Sequence, residues 1–156
     1  MYPVYLSIDL EATGLDPHDL IIEFAAVPVS ATNIYSEHKI HFYIQCPSFE
    51  DLKPTLNPWV IEHNEGLITK AHLEGVALSL FKEEYDSYLT KIKKTFGVEK
   101  IVLLGKSLNA IDLPFLRRDL GEEFFRQHFS HRVVDVSTLS YVGIDLGLLP
   151  KECESG

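Results

Sequence analysis

The hydrophobic pattern of this chain changes its period near Asn57 and so divides the sequence into two kinds of secondary structure. Three short runs with β-strand composition come first, separated by glycine, proline or polar turns: 4–10, 20–29 and 37–45. Short turns between strands predict an antiparallel meander. From Asn57, a helix N-cap followed by Pro58, the spacing is helical as far as about Phe96, with a break near Glu65.

The second half of the chain predicts further helices and two more strands. Apolar residues recur at three- and four-residue steps on one helix face: Leu78, Phe81, Tyr85, Tyr88, Leu89 and Ile92. Gly97 ends this helix, and the apolar run 101–104 is typical of a strand buried on both faces. Helices at 109–120 and 122–129, a strand at 132–136 and a helix from Ser137 complete the pattern. The order β-β-β-α-β-α-β predicts one α/β domain with a mixed sheet flanked by helices.

Charge and composition limit the classes of function. A net charge of −9 argues against a protein that holds long nucleic acid by phosphate neutralisation alone. It leaves nucleotide chemistry open, because bound cations offset the charge of a carboxylate site. No apolar run approaches the roughly 20 residues that span a bilayer, and no basic flank marks a signal peptide, so we expect a cytoplasmic protein. Cys46 and Cys153 are expected to be unrelated free thiols.

Asp9 and Glu11 lie two residues apart on the first predicted strand. Period-two alternation points both side chains to the same face. In a buried central strand the two carboxylates would repel each other unless a cation lay between them, and oxygen ligands suit Mg²⁺ or Mn²⁺. The spacing alone fits a frayed, solvated strand end equally well.

The residues around this pair carry a family resemblance. The segment Ser-Ile-Asp9-Leu-Glu11-Ala-Thr13-Gly-Leu15, followed by Ile-Glu-Phe-Ala-Ala-Val on the next strand, resembles the first motif of the DEDD 3′→5′ exonuclease superfamily. The resemblance is to the DEDDh type, with RNase T, oligoribonuclease and proofreading exonucleases. It implies that Asp9 and Glu11 bind two divalent metal ions, and that Leu15 lies against the terminal bases. Thr13 is a further substrate-binding candidate, and a core role for Leu15 is the alternative.

Asp112 stands in the first turn of a predicted helix that follows a buried strand. Acids are common there because they complement the helix dipole. The segment from Leu104 to Arg117 nevertheless resembles the second motif of the family, which implies that Asp112 is the third metal ligand. Ser107 occupies a position where asparagine is frequent in the family, and it is a substrate-binding candidate.

Between these motifs, the segment Asn-Pro-Trp59-Val-Ile-Glu-His63-Asn resembles the part of oligoribonuclease-like proteins that lines the substrate groove. Trp59 and His63 are therefore substrate-binding candidates. Stacking of Trp59 on a base would contribute about 1–3 kcal/mol. Packing of Trp59 between the helix and the sheet is the alternative.

The family's third motif is a histidine and an aspartate separated by four residues, and no such pair is found in this sequence. Three residues separate His131 from Asp135, and Tyr141 with Asp145 fits the tyrosine variant but follows the strand too closely. We therefore expect residues 1–156 to form a single exonuclease domain that lacks the C-terminal helix of this motif. The general base and the fourth ligand would come from beyond Gly156.

Taken as a whole, the resemblance implies an RNase H-like fold with a five-stranded mixed sheet. It also implies hydrolysis at the 3′ ends of single-stranded RNA or DNA, with two Mg²⁺ or Mn²⁺ ions as cofactors and a homodimer as a possible assembly. A degenerate domain that binds nucleic acid or a protein without cutting, and a module whose acids only cap turns, are the alternatives.

Overall fold

The computed structural model describes residues 4–151 and is built around a five-stranded sheet in the order β3-β2-β1-β4-β5. Its strands are β1 (Tyr5–Ala12), β2 (Ile21–Val29), β3 (Ile40–Tyr43), β4 (Ile101–Gly105) and β5 (Phe129–Asp135). The pairs β1–β2 and β2–β3 are antiparallel, whereas β4 is parallel to both β1 and β5. The predicted meander and mixed sheet are confirmed, and β1 lies at the centre.

Seven α-helices flank the sheet within residues 4–151: α1 (Phe49–Leu52), α2 (Pro58–His63), α3 (Glu65–Glu74), α4 (Leu78–Phe96), α5 (Asp112–Leu120), α6 (Glu122–His128) and α7 (Val136–Asp145). The N-cap prediction for α2 is confirmed, because the Asn57 side chain accepts a hydrogen bond from the Val60 N–H at 3.0 Å. The short helix α1 was not predicted. Its N-cap is Ser48, whose side chain accepts from the Asp51 N–H.

The apolar stripe of α4 forms the centre of the main core. Phe81, Tyr85, Leu89 and Ile92 are buried, and the Tyr85 ring packs edge-on against Phe24 of β2 at 4.8 Å. The stripe is narrower than predicted, because Leu78 is partly exposed and Tyr88 is half-buried with its hydroxyl donating to the His38 carbonyl. Gly97 ends α4 in the left-handed region, at φ 64°, as predicted.

Three predicted boundaries differ from the structure. The third strand is shorter than 37–45 because residues 36–38 form a 3₁₀ turn before it. Helix α5 begins at Asp112 rather than 109, because the Ala110 and Ile111 N–H groups both donate to the Ser107 carbonyl in a preceding turn. Strand β5 covers Phe129–Asp135 rather than 132–136, and helix α7 therefore begins at Val136, one residue before the predicted Ser137.

Within residues 4–151, no helix combines the length and the apolar character that membrane crossing requires. Cys46 is a buried free thiol in the second core cluster, under α2 and α3. Cys153 lies outside the described residues.

Candidate active site

The two acids of β1 point to the same face of the sheet, as the alternation predicts. The intervening residues Ile8 and Leu10 are buried in the core, whereas Asp9 and Glu11 are both exposed. The expectation that the pair is buried is wrong, because this end of β1 opens into a cavity. Desolvation, followed by the charges of Asp9 and Glu23, raises the pKa of Glu11.

Asp112 is the first residue of α5 and is buried, with 5% of its surface exposed. Burial raises its pKa to about 6, and the charges of Asp9 and Asp135 add to this effect. Hydrogen bonds from the backbone of Leu10 and of Asp112 itself act in the opposite direction. The carboxylates of β1 and α5 therefore influence one another although they are distant in the sequence.

These acids line one cavity of about 510 Å³. Its walls come from β1 and the following turn, from α2, and from the segment between β4 and α5: Asp9, Leu10, Glu11, Ala12, Gly14, Leu15, Asn57, Trp59, Val60, Asn64, Lys106, Ser107, Ile111 and Asp112. The structure thus gathers most of the candidate residues in one place. Thr13 and His63 are not part of the lining.

Leu15 and Trp59 stand on the cavity wall with their side chains largely open. The exposed fractions are 75% for Leu15 and 61% for Trp59. A core role would require both residues to be buried, so the packing alternative is wrong for each of them. Exposed apolar side chains beside an acidic cavity favour contact with a ligand that has flat apolar faces.

Thr13 has a structural role instead of the predicted contact with substrate. It is buried, its hydroxyl donates to the Asp19 carboxylate at 2.9 Å, and the same oxygen accepts from the Leu20 N–H at 2.9 Å. Both capacities of the hydroxyl are used inside the turn that carries Leu15. This placement does not fit a substrate-binding Thr13 side chain.

Arg118 of α5 connects the helix that begins with Asp112 to the turn that carries Leu15. Its guanidinium donates to the carbonyl oxygens of Pro17 at 2.8 Å and Asp19 at 2.7 Å, and it also pairs with Asp119. Helix α5, which begins with Asp112, is therefore hydrogen-bonded through Arg118 to the turn that carries Leu15.

Ser107 lies on the cavity wall in a backbone conformation that is unusual for serine. Its φ is 54°, its N–H donates to Asp135 at 3.1 Å, and its hydroxyl lies 3.1 Å from that of Ser137. Asparagine, the residue expected here from the family resemblance, tolerates the left-handed region better than most residues.

This strain predicts an unusual order of stability among variants of Ser107. Ser107→Ala and Ser107→Gly both lose the hydroxyl, but only glycine relieves the left-handed backbone. We expect Ser107→Gly to be about 1–2 kcal/mol more stable than Ser107→Ala, as measured by denaturant unfolding. Ser137→Ala is the matched control, since it removes the same hydroxyl contact from a helical residue. Equal stability of the alanine and glycine variants would contradict the strain.

Asp135 is an important residue that the sequence interpretation missed. It pairs with Gly105 at the ends of β5 and β4, and its carboxylate accepts from the N–H groups of Ser107 and Ser137. It also raises the pKa of Asp112. Its position at the carboxyl end of a strand beside β4 was the available signal.

Comparison with known proteins identifies the family. The exonuclease family model of the RNase T type matches residues 6–146. The chain belongs to this exonuclease family. Oligoribonuclease of Colwellia psychrerythraea is 31% identical over 136 residues, which cover 85% of this chain and 70% of that protein. Mitochondrial oligoribonuclease of Mus musculus is 33% identical over 135 residues, and the chain spans 54% of its length.

Solved exonuclease structures have the same fold. The product-bound form of exonuclease I matches with a TM-score of 0.67 at 21% identity, over 92% of this chain and 32% of that one. The zinc-bound E. coli exonuclease I complex with single-stranded DNA gives a TM-score of 0.69 at 18% identity, over 94% and 30%. The RNase H-like α/β fold predicted from the sequence is confirmed.

The third motif of the exonuclease family has no counterpart in the cavity lining. Tyr141 and Asp145 lie exposed on α7, and neither they nor His131 line the cavity. The tyrosine variant of the motif therefore does not fit these residues. No histidine is present among the residues that line the cavity.

The side chains that line the cavity provide oxygen ligands of the kind that hard divalent cations prefer. Asp9, Glu11 and Asp112 offer carboxylate oxygens, and their mutual repulsion is what a cation would relieve. Within residues 4–151, however, no three His, Cys, Asp or Glu side chains converge closely enough to enclose an ion by themselves. Further ligands would have to come from water, substrate or other protein groups.

Proposed function

We propose that this chain is a 3′→5′ exonuclease domain that hydrolyses the terminal phosphodiester of short single-stranded RNA or DNA and releases 5′-mononucleotides. The observation that carries the proposal is the cavity in which Asp9, Glu11 and Asp112 lie together with the open side chains of Leu15 and Trp59. Membership of the exonuclease family and similarity to oligoribonucleases support the same reaction.

Asp9, Glu11 and Asp112 would hold two divalent ions, Mg²⁺ or Mn²⁺. When bound, such ions supply an activated water and stabilise the charge on the leaving 3′ oxygen. The three acids fit this role because burial, and after it the charge of neighbouring carboxylates, already raises the pKa values of Glu11 and Asp112. A cation that offsets this repulsion also favours the ionised forms that act as ligands.

The remaining residues of the wall would bind and orient the 3′-terminal nucleotide. Trp59 offers an exposed aromatic face and Leu15 an exposed aliphatic one, and both suit the flat surface of a base. Lys106 and Ser107 lie on the same wall and offer a cation and a hydroxyl to the sugar-phosphate. Holding the reacting phosphodiester in place in this way accounts for much of the rate enhancement in such reactions.

The general base is the part of the site that the cavity lining does not supply. We propose that a histidine beyond Gly156 in a longer parent chain provides it, since proton transfer from water requires a group that titrates near neutral pH. Activity of this chain and of a C-terminally longer form should then differ. Digestion by both forms at equal rates would place the base within residues 1–156.

A second candidate function is a binding domain that holds nucleic acid without cutting it. The absence of a histidine from the lining favours this candidate. Titration calorimetry with Mn²⁺ separates the two in part, because an enzyme of the proposed kind binds the ion through Asp9 and a degenerate one does not need to. Mn²⁺ binding by the wild type that is lost in Asp9→Ala supports the enzyme.

Digestion of 5′-labelled RNA and DNA heptamers in Mg²⁺ tests the reaction itself. Stepwise shortening from the 3′ end with release of 5′-mononucleotides is expected, and the relative rates on RNA and DNA give the preferred sugar. Internal cleavage or shortening from the 5′ end would contradict the proposal. Cytoplasmic localisation stays a prediction, because the relatives include both bacterial and mitochondrial proteins. The homodimer is likewise a prediction, which the oligomeric state in solution would test.

A further inference from the structure

His63 lies behind Trp59 rather than in the cavity. The two rings are stacked, with centroids 4.6 Å apart and an angle of 15° between their planes. They stand four residues apart on α2, the spacing that places two side chains on the same face of a helix. His63 is absent from the cavity lining, whereas Trp59 is part of it.

The imidazole is held by a second contact besides the stack. Its Nδ1–H donates to the backbone carbonyl of Trp59 at 2.8 Å. This bond fixes the ring of His63 at the carboxyl end of α2, directly against one face of the indole. The imidazole thereby covers one face of the indole and restricts its movement on that side.

We propose that His63 is a positioning residue that holds the Trp59 indole in place for stacking on the 3′-terminal base. This inference rests on the proposed function, because it assigns to Trp59 a base of the substrate. An exposed side chain that must become ordered on binding lowers affinity, and a side chain ordered beforehand avoids that loss. His63 therefore acts through Trp59 and touches neither the metal ligands nor the reacting phosphate.

Trp59 is the only tryptophan of the chain, so its fluorescence reports on this position alone. The probe is adenosine 5′-monophosphate, a product of the proposed reaction, titrated in Mg²⁺ into the complete 156-residue chain. His63→Ala is expected to weaken binding about 2- to 12-fold, the range that corresponds to ordering one side chain. His63→Phe keeps a stacked ring and should bind within about twofold of the wild type.

A control and a second readout separate positioning from general damage. Glu62→Ala changes an exposed neighbour on the same helix and should leave binding unchanged. The anisotropy decay of Trp59 should show added local motion in His63→Ala and not in His63→Phe. In oligonucleotide digestion, KM should rise in His63→Ala while kcat stays nearly constant. The KM of the double variant Trp59→Leu/His63→Ala should not exceed that of Trp59→Leu.

Three results would overturn the inference. Equal weakening by His63→Ala and His63→Phe would mean that the effect of His63 on binding does not come from ring stacking against Trp59. No weakening by either variant would mean that the stack has no effect on binding. A Trp59 emission that does not respond to adenosine 5′-monophosphate would mean that the base does not stack on Trp59. Failure of the proposed function would be seen separately, as absence of oligonucleotide digestion.

Discussion

Asp112→Asn is expected to stabilise the metal-free protein and to abolish exonuclease activity. The carboxylate is buried beside Asp9 and Asp135, and its pKa is raised from 3.8 to about 6. At neutral pH the fold therefore contains an ionised group in an unfavourable environment, which we expect to cost about 1–3 kcal/mol of stability. The amide is neutral and nearly isosteric, so it removes this cost, whereas it is a much poorer metal ligand.

The pH dependence of this difference has a definite sign. Because the folded pKa of Asp112 lies above the unfolded one, the folded state holds the proton more tightly. The contribution of the protonated Asp112 to the stability of the folded wild type is complete below about pH 4, and it is lost as the pH rises through about 6. Thermal melting in EDTA should thus show an advantage of Asp112→Asn that grows from pH 4 to pH 7.

Metal should reverse that order. Mn²⁺ binds the native wild type and raises its melting temperature by mass action, but it should raise that of Asp112→Asn less. Glu84→Gln, which removes one exposed acid from α4, is the matched control and should behave as the wild type does. A metal-free Asp112→Asn protein that is less stable than the wild type at pH 7 would contradict the electrostatic interpretation of the cavity.

Asp9→Asn is expected to lower the rate of 3′-terminal hydrolysis by roughly a thousandfold, because a metal ion supplies several kcal/mol of transition-state stabilisation. The side chain is exposed on β1 and its neighbours Ile8 and Leu10 carry the packing, so the fold should be retained. Circular dichroism and melting in EDTA check that retention. An Asp9→Asn protein with normal folding and undiminished activity would exclude Asp9 from the metal site.

The sequence predicted the sheet well because its signals are local. Alternation in β1, the Asn57 cap and the left-handed Gly97 each depend on a few neighbouring residues, and all three are observed. The start of α5 was less predictable. It depends on the turn at Ser107, where a left-handed φ occurs together with contacts to Asp135 and Ser137, which lie far away in the chain.

The candidate site was predicted only in part, because some of its features are local in the sequence and others depend on contacts in the folded chain. Asp9 and Glu11 follow from strand alternation, and Asp112 follows from the family resemblance. Thr13 was assigned to substrate because a motif gives residue types without hydrogen-bond partners, and its partner Asp19 becomes visible only in the folded turn. The exposure of Trp59 also could not be predicted, because a helix start offers a tryptophan both a core face and an open face.

The central claim is that the carboxylate cavity performs metal-dependent hydrolysis at a 3′ end. The most direct test follows the stepwise shortening of a 5′-labelled RNA heptamer in Mg²⁺ and in Mn²⁺. Wild type, Asp9→Asn and Glu84→Gln are compared in this chain and in a C-terminally longer form. We predict that, at least in the longer form, the wild type and Glu84→Gln shorten the substrate stepwise from its 3′ end. This activity should be lost in Asp9→Asn and when EDTA removes the metal. Absence of digestion by every form, or digestion that persists in Asp9→Asn, would contradict the claim.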